Sequence, residues 1–225
     1  MSAGHKPVLC YVTDRRAFEA APGASDSPSG QNAPLQLLRD SIRKAAAAGI
    51  DWIQIRESDL GTHTLVELTR FAVAETRASG VRSLVNDRLD VALAAGASGI
   101  HLGEKSLPLE AVAEWRRSKG RAEFGIGVSC HSLESARAAE RCGANYIFFG
   151  PIFETPSKAA FGPPQGIGRL SEICASVKIP VLAIGGVNLE NAHACLAAGA
   201  SGIAAIRLFQ DAEDVTAVAA NLRGI

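Results

Sequence analysis

The octapeptide Leu-Ala-Ala-Gly-Ala-Ser-Gly-Ile occurs twice in this chain, at Leu93–Ile100 and at Leu196–Ile203. In each copy an alanine-rich helical run meets a glycine, a short link and then an apolar strand, Gly99–Gly103 in the first and Gly202–Ile206 in the second. Looser versions stand at Ala47–Ile55 and Arg141–Phe149. Glycine suits the left-handed residue that ends a helix. A repeated helix feeding a buried apolar strand is how a parallel α/β fold is built, and such self-similarity constrains the architecture more than any single motif.

Eight strands are expected in order: Val8–Thr13, Trp52–Arg56, Arg82–Asn86, Gly99–Gly103, Phe124–Ser129, Tyr146–Gly150, Pro180–Gly185 and Gly202–Leu208. Between them lie stretches of helical period. Leu65, Leu68, Thr69 and Ala72 keep the i, i+3, i+4, i+7 spacing, and Leu133–Glu140 follows Ser132, a natural N-cap. Eight such units with short links predict a closed (β/α)₈ TIM barrel, a single domain over residues 1–225. Two stretches interrupt the pattern. Residues 20–33, rich in Gly, Ser, Ala and Pro, read as a flexible loop. Residues 152–168, with a lysine among Gly and Pro, read as an active-site loop.

Composition removes several function classes. With 47% apolar residues a large core can be buried. Lys plus Arg equals Asp plus Glu, 23 each, so no global field favours nucleic acid or a membrane surface. The five cysteines are scattered without a C-x-x-C, which suits buried reduced thiols of a cytoplasmic protein rather than a disulfide or metal framework. No apolar run reaches the roughly 18 residues of a membrane span, and the N-terminus lacks a signal-peptide core. Oligomeric state is not legible; a homo-oligomer stays open.

In such a barrel the chemistry sits where strands end. Gln54 and Arg56 share one strand face, with Ile53 and Ile55 on the other, so the pair is expected to point into the barrel mouth. An arginine there calls for an anion; a phosphate matches its fork, and an ion pair with Glu57 is the structural alternative. Asn86-Asp87 ends the third strand, and a carboxylate beside an amide suits a Mg²⁺ that keeps waters and substrate phosphate. His101 alternates with apolar neighbours and reads as a core histidine. Ser129 is a hydroxyl donor; the adjacent Cys130 and His131 face opposite ways, which argues against a Cys-His nucleophile. Thr155, Ser157 and Lys158 form an anion cradle in one loop. Gly185-Gly186 and the strand-eight turn at Ile206 and Arg207 form a second phosphate end. Two anion-binding ends imply two phosphorylated small molecules, or one long one.

The ordered motifs Gln-Ile-Arg-Glu, Val-Asn-Asp-Arg, Gly-Ile-His-Leu-Gly, Gly-Val-Ser-Cys-His-Ser, Gly-Pro-Ile-Phe-x-Thr-Pro-Ser-Lys and Ala-Ile-Gly-Gly-Val resemble thiamine phosphate synthases and their sister group, the thiazole tautomerases. The resemblance runs from about Leu9 to Asp214. It implies a transferase that joins hydroxymethylpyrimidine diphosphate to thiazole phosphate, giving thiamine phosphate and pyrophosphate with Mg²⁺. Carried over, Gln54, Arg56 and Asn86 hold the pyrimidine diphosphate and Asp87 the metal. Ser129 and Lys158 meet the diphosphate, so that Arg56, Lys158 and Ser129 are the candidate catalytic residues. Thr155 and Ser157 help hold thiazole phosphate, along with Gly186 and the strand-eight backbone at Ile206; Gly185 and Arg207, read from the residues alone, stand at the same phosphate end.

Three positions depart from the synthase pattern. Ser58 stands where a Lys is usual, Ser106 where a second metal-binding Asp is usual, and Arg207 where a Ser is common. Glu104 and Lys105 offer nearby charges. These departures keep a thiazole phosphate tautomerase, or a non-catalytic thiazole phosphate-binding relative, as alternatives. The tautomerase histidine after strand six is replaced by Pro151, with His101 and His131 as candidate substitutes.

Overall fold

In a computed structural model, described here for residues 6–19, 33–155 and 163–224, eight parallel strands close into a barrel in chain order. They are β1 (Val8–Val12), β2 (Trp52–Ile55), β3 (Arg82–Asn86), β4 (Gly99–Leu102), β5 (Gly125–Cys130), β6 (Tyr146–Phe149), β7 (Val181–Ile184) and β8 (Gly202–Ala205). The seam closes where Leu9 of β1 pairs with Ile203 of β8. Helices cover the outside: α1 (Arg16–Glu19), α2 (Ala33–Ala47), α3 (Thr62–Arg77), α4 (Leu89–Ala95), α5 (Leu109–Ser118), α6 (Leu133–Arg141), α7 (Gly166–Ser176), α8 (Ala192–Ala197), α9 (Arg207–Gln210) and α10 (Val215–Arg223). The barrel is the one the repeats predict.

The two octapeptide copies build the same joint. Gly96 and Gly199 both have positive φ, 73° and 101°. Ala97 N–H then reaches back to Ala92 O at 2.9 Å, and Ala200 N–H to Cys195 O at 3.2 Å. Each link delivers the chain to β4 or β8, which stand diametrically opposite in the closed order. Ser132 caps α6 as expected, accepting from Ser135 N.

Strand alternation sorts two cores. Residues such as Leu9, Tyr11, Ile53, Ile147 and Ile203 point out to the helices. Cys10, Val12, Leu84, Tyr146, Phe148, Leu182 and Ala204 fill the barrel interior, with Trp52 against them. The interior is aromatic on one side: Trp52 and Tyr146 centroids lie 4.6 Å apart, and His101 and Phe148 4.1 Å. Gly127 makes room for this, because a Cβ there would fall 2.0 Å from the Tyr146 ring.

Four expectations need correcting. Strand eight stops at Ala205, because residues from Arg207 turn into α9. Ala33 is not loop but the first residue of α2; residues 20–32 lie outside the described residues. The active-site loop ends sooner than expected, because the chain from Gly166 forms α7; residues 156–162 lie outside the described residues. Finally, only Cys10, Cys130 and Cys195 are buried, whereas Cys142 and Cys174 are half-buried. No helix among the described residues is long and apolar enough to cross a membrane.

Candidate active site

The inward-facing side chains at the C-terminal strand ends surround a cavity of about 680 Å³. Of the residues singled out from sequence, Gln54, Arg56, Asn86, Ser129, Thr155, Gly185, Gly186, Ile206 and Arg207 all line it. His101 and His131 line it too. Ser157 and Lys158 lie outside the described residues.

Gln54 is the floor. It is 2% exposed, and its Nε2 donates to Asn86 Oδ1 at 2.9 Å, tying β2 to β3. Its Oε1 has no hydrogen-bond partner among the described residues. A buried amide oxygen without a donor is costly, so it calls for a ligand N–H or O–H.

Arg56 projects above it, exposed. The ion pair with Glu57, offered above as the alternative, does not form. The Glu57 carboxylate is turned away and buried, accepting from Thr13 Oγ1 at 2.7 Å and from Arg15 N–H at 3.1 Å. Burial raises its pKa above the ordinary value, against those hydrogen bonds. Among the described residues Arg56 makes no ion pair, which leaves its guanidinium for an anion in the cavity.

Asp87 sits beside this wall rather than in it. It is the one described non-glycine residue with positive φ, 66°, and its N–H donates to His101 O at 2.9 Å. That turn leaves the carboxylate exposed. Ser106 plays a local part: its Oγ accepts from Gly103 N–H at 2.7 Å and closes the turn after β4. Glu104 Oε1 lies 3.8 Å from His131 Nε2. Among the described residues no group of three or more metal-binding side chains converges.

His101 is 1% exposed and sits between two hydroxyls, with Tyr146 OH 3.2 Å from Nδ1 and Ser129 Oγ 2.9 Å from Nε2. Burial, helped by the Arg56 charge, pulls its pKa down to about 3, so the ring is neutral at ordinary pH. His131 differs. Its Nδ1 touches the Gly150 carbonyl, which only accepts, so Nδ1 carries the proton. Cys130 is 1% exposed and burial pushes its thiol up to about 11, which removes it as a thiolate nucleophile.

The other end of the cavity is made of backbone. Gly185 and Gly186 have φ of 94° and 68°. A Cβ on Gly186 would come 2.5 Å from Glu154 O, and one on Gly185 2.6 Å from Pro151 Cα. The glycines therefore let the segment after β6 lie directly on the end of β7, where Ile152 N–H bonds Ile184 O and Phe153 N–H bonds Gly185 O, each at 3.0 Å. That steric demand stands beside the phosphate approach expected from the glycine pair.

Sequence reading missed the end of β1. Asp14 and Arg16 line the same cavity. Gln210 of α9 holds that segment: Tyr11 OH donates to its Oε1 at 2.7 Å, and its Nε2 donates to Asp14 O at 2.8 Å. The strand-end rule applied to the first strand would have found Asp14; nothing in sequence signals Gln210.

The sequence model of the thiamine monophosphate synthase family matches residues 29–209. The chain belongs to that family. A thiamine-phosphate synthase of Methanocella arvoryzae is 44% identical over 183 residues, 81% of this chain and 84% of its own length. One from a Roseiflexus species is 38% identical over 218 residues, 97% and 84% respectively. Among solved structures, the thiamine phosphate pyrophosphorylase from Pyrococcus furiosus superposes with a TM-score of 0.79 at 35% identity, covering 97% of this chain and 95% of that one. As a thiamine monophosphate synthase family member, this chain carries Ser58 exposed at the mouth-side end of β2.

Proposed function

We propose that this protein is a thiamine-phosphate synthase, a transferase that couples hydroxymethylpyrimidine diphosphate to thiazole phosphate and releases pyrophosphate. The observation that carries the reading is the gathering of Gln54, Arg56, Asn86, Ser129, Gly186 and Arg207 around one cavity. It offers cationic groups at two ends and an orphaned amide oxygen between. Family membership and relatives that carry the synthase name over most of their length support it.

The residues divide the work. Gln54 Oε1 accepts from the pyrimidine ring's exocyclic amine, and Asn86 is braced against Gln54 to hold the same ligand. Arg56 takes the diphosphate, and Ser129 donates to one of its oxygens. The bond between the pyrimidine methylene and the diphosphate oxygen breaks, and pyrophosphate leaves with the bonding pair. The thiazole nitrogen then supplies its lone pair to the methylene carbon. Phe148, Val12 and Ile184 line the cavity and exclude water that would otherwise capture the carbon. Arg56 and Ser129, with Lys158 carried over from the family pattern, meet the charge that develops on the leaving group. Thr155, Gly185, Gly186, Ile206 and Arg207, with Ser157 carried over likewise, receive the thiazole phosphate.

The donor set fits Mg²⁺ in one mode. Mg²⁺ is commonly held by one or two carboxylates, waters and substrate phosphate oxygens rather than by an all-protein cage. Asp87, exposed one residue from Asn86, provides one carboxylate; Ser106, engaged with Gly103, provides none. When bound, the ion neutralises the leaving pyrophosphate. All five cysteines are free, which favours a reducing cytoplasm.

The deciding experiment is a Mg²⁺-dependent coupling assay that follows thiamine phosphate and pyrophosphate together. Equal formation of both establishes the synthase and makes Ser58 and Ser106 tolerated substitutions. Thiazole phosphate binding without coupling overturns the reading in favour of a tautomerase or a binding-only relative.

A further inference from the structure

We propose that Tyr146 and His101 form a polarity relay that turns the Ser129 hydroxyl proton into the cavity, so that His101 is a positioning residue for the anion contact made by Ser129. The inference rests on the synthase reading for the identity of the anion, and on geometry for the relay itself.

Tyr146 points into the barrel, 3% exposed, with its ring packed on Trp52 and over Gly127. Its hydroxyl has one hydrogen-bond partner among the described residues, His101 Nδ1 at 3.2 Å. A buried O–H must donate, and the only acceptor offered is that nitrogen. Nδ1 is therefore bare. In a doubly protonated ring Nδ1–H would donate to the phenol oxygen, and the buried phenol proton would be left without an acceptor among the described residues. The ring is thus neutral with its proton on Nε2. Nε2 faces Ser129 Oγ at 2.9 Å, so the serine accepts there. Its own proton is left to turn elsewhere, and Ser129 lines the cavity. The opposite tautomer would draw the serine proton back to the histidine and present a lone pair to an anion.

Two measurements test the relay. The first is the pair of ring ¹⁵N shifts of His101 in the wild-type protein, read with one-bond ¹H coupling. A protonated Nε2 and a bare Nδ1 are expected; a proton on Nδ1 overturns the proposal. The second is a double-mutant cycle on binding of inorganic pyrophosphate with Mg²⁺. Tyr146→Phe and Ser129→Ala are each expected to weaken binding about tenfold, the scale of one charge-assisted hydrogen bond. In the Ser129→Ala background, Tyr146→Phe should add nothing, because the group it orients is gone. An equal loss from Tyr146→Phe in both backgrounds would reduce Tyr146 to a packing residue and overturn the relay, as would undiminished binding in Ser129→Ala. Failure of the wild-type protein to form thiamine phosphate would remove the synthase reading while leaving the tautomer result intact.

Discussion

The Thr13 hydroxyl donates to Glu57 Oε1 at 2.7 Å and accepts from Arg56 N–H at 2.9 Å. One threonine thus ties the end of β1 to the end of β2. It also turns the Glu57 carboxylate away from the neighbouring arginine, so the cationic end of the cavity keeps its charge. The arrangement keeps a carboxylate that is only 4% exposed.

That buried carboxylate predicts an acid-side gain. Its native pKa is raised above the free value of 4.5, chiefly by burial. The native state therefore holds the Glu57 proton to higher pH than the unfolded chain does, and stability is lost as pH rises from about 4.5 through the native pKa. The Glu57→Gln variant lacks this titration. Urea unfolding across that range should show the wild type losing up to about 1.4 kcal/mol per pH unit relative to the variant. Parallel slopes would show that the native pKa is not raised.

His101 works in the opposite sense. Its native pKa is lowered to about 3 from 6.5. Below pH 6.5 the unfolded chain takes up a proton that the native state refuses, so stability falls as pH drops from 6.5 toward 3. His101→Gln keeps a donor near Ser129 and removes the titration. Its stability should be lower at pH 7.5 yet decline less steeply below 6.5, by roughly 1 kcal/mol per pH unit. Glu57 is common to both proteins and cancels in the comparison. Equal slopes would mean that the ring takes up its proton as readily folded as unfolded.

Arg56→Ala should separate fold from function. The guanidinium is exposed and makes no ion pair among the described residues, so its loss should change stability by less than about 0.5 kcal/mol. Coupling should fall by about two orders of magnitude or more, the scale for removing one charge-stabilising group from a reacting centre. Thermal melts and single-turnover rates on the same preparation check both halves. Undiminished coupling would move the diphosphate away from this side of the mouth.

The barrel was legible because its signals are local and repeated. Glycines 96 and 199, each placed after an alanine run, mark joints that the structure builds alike. The alternation of Ile53, Gln54, Ile55 and Arg56 aims two polar groups at one cavity, where both are found. What escaped depends on chain closure. Ile206-Arg-Leu-Phe209 continues an apolar strand by composition, yet turns into α9 so that the Gln210 amide can meet Tyr11 and Asp14 across the β1–β8 seam. Those partners are about two hundred residues apart, and no local period encodes their meeting. The Thr13–Glu57 contact escaped for the same reason, since adjacency in sequence favoured Arg56 as the partner. Asp87 lay between the two cases. Its place at the end of the third strand was legible from Asn-Asp, but not that its left-handed backbone would set it beside the cavity wall rather than within it.

Arg207 is the last test, because α9 places it where a strand was expected. It is the first residue of that helical turn, exposed, and lines the cavity together with Gly186 and Arg16. Among the described residues it forms no ion pair. If it meets the thiazole phosphate, it does so as a solvent-facing charge. Such a charge contributes on the order of 1 kcal/mol and is screened by salt. Arg207→Ser should therefore raise the KM for thiazole phosphate by about fivefold at low ionic strength while leaving kcat near the wild-type value, the signature of a contact equal in ground and transition states. The difference should shrink at high ionic strength. A KM unchanged at low salt would detach Arg207 from the phosphate, leaving that end of the site to the backbone of Gly185, Gly186 and Ile206.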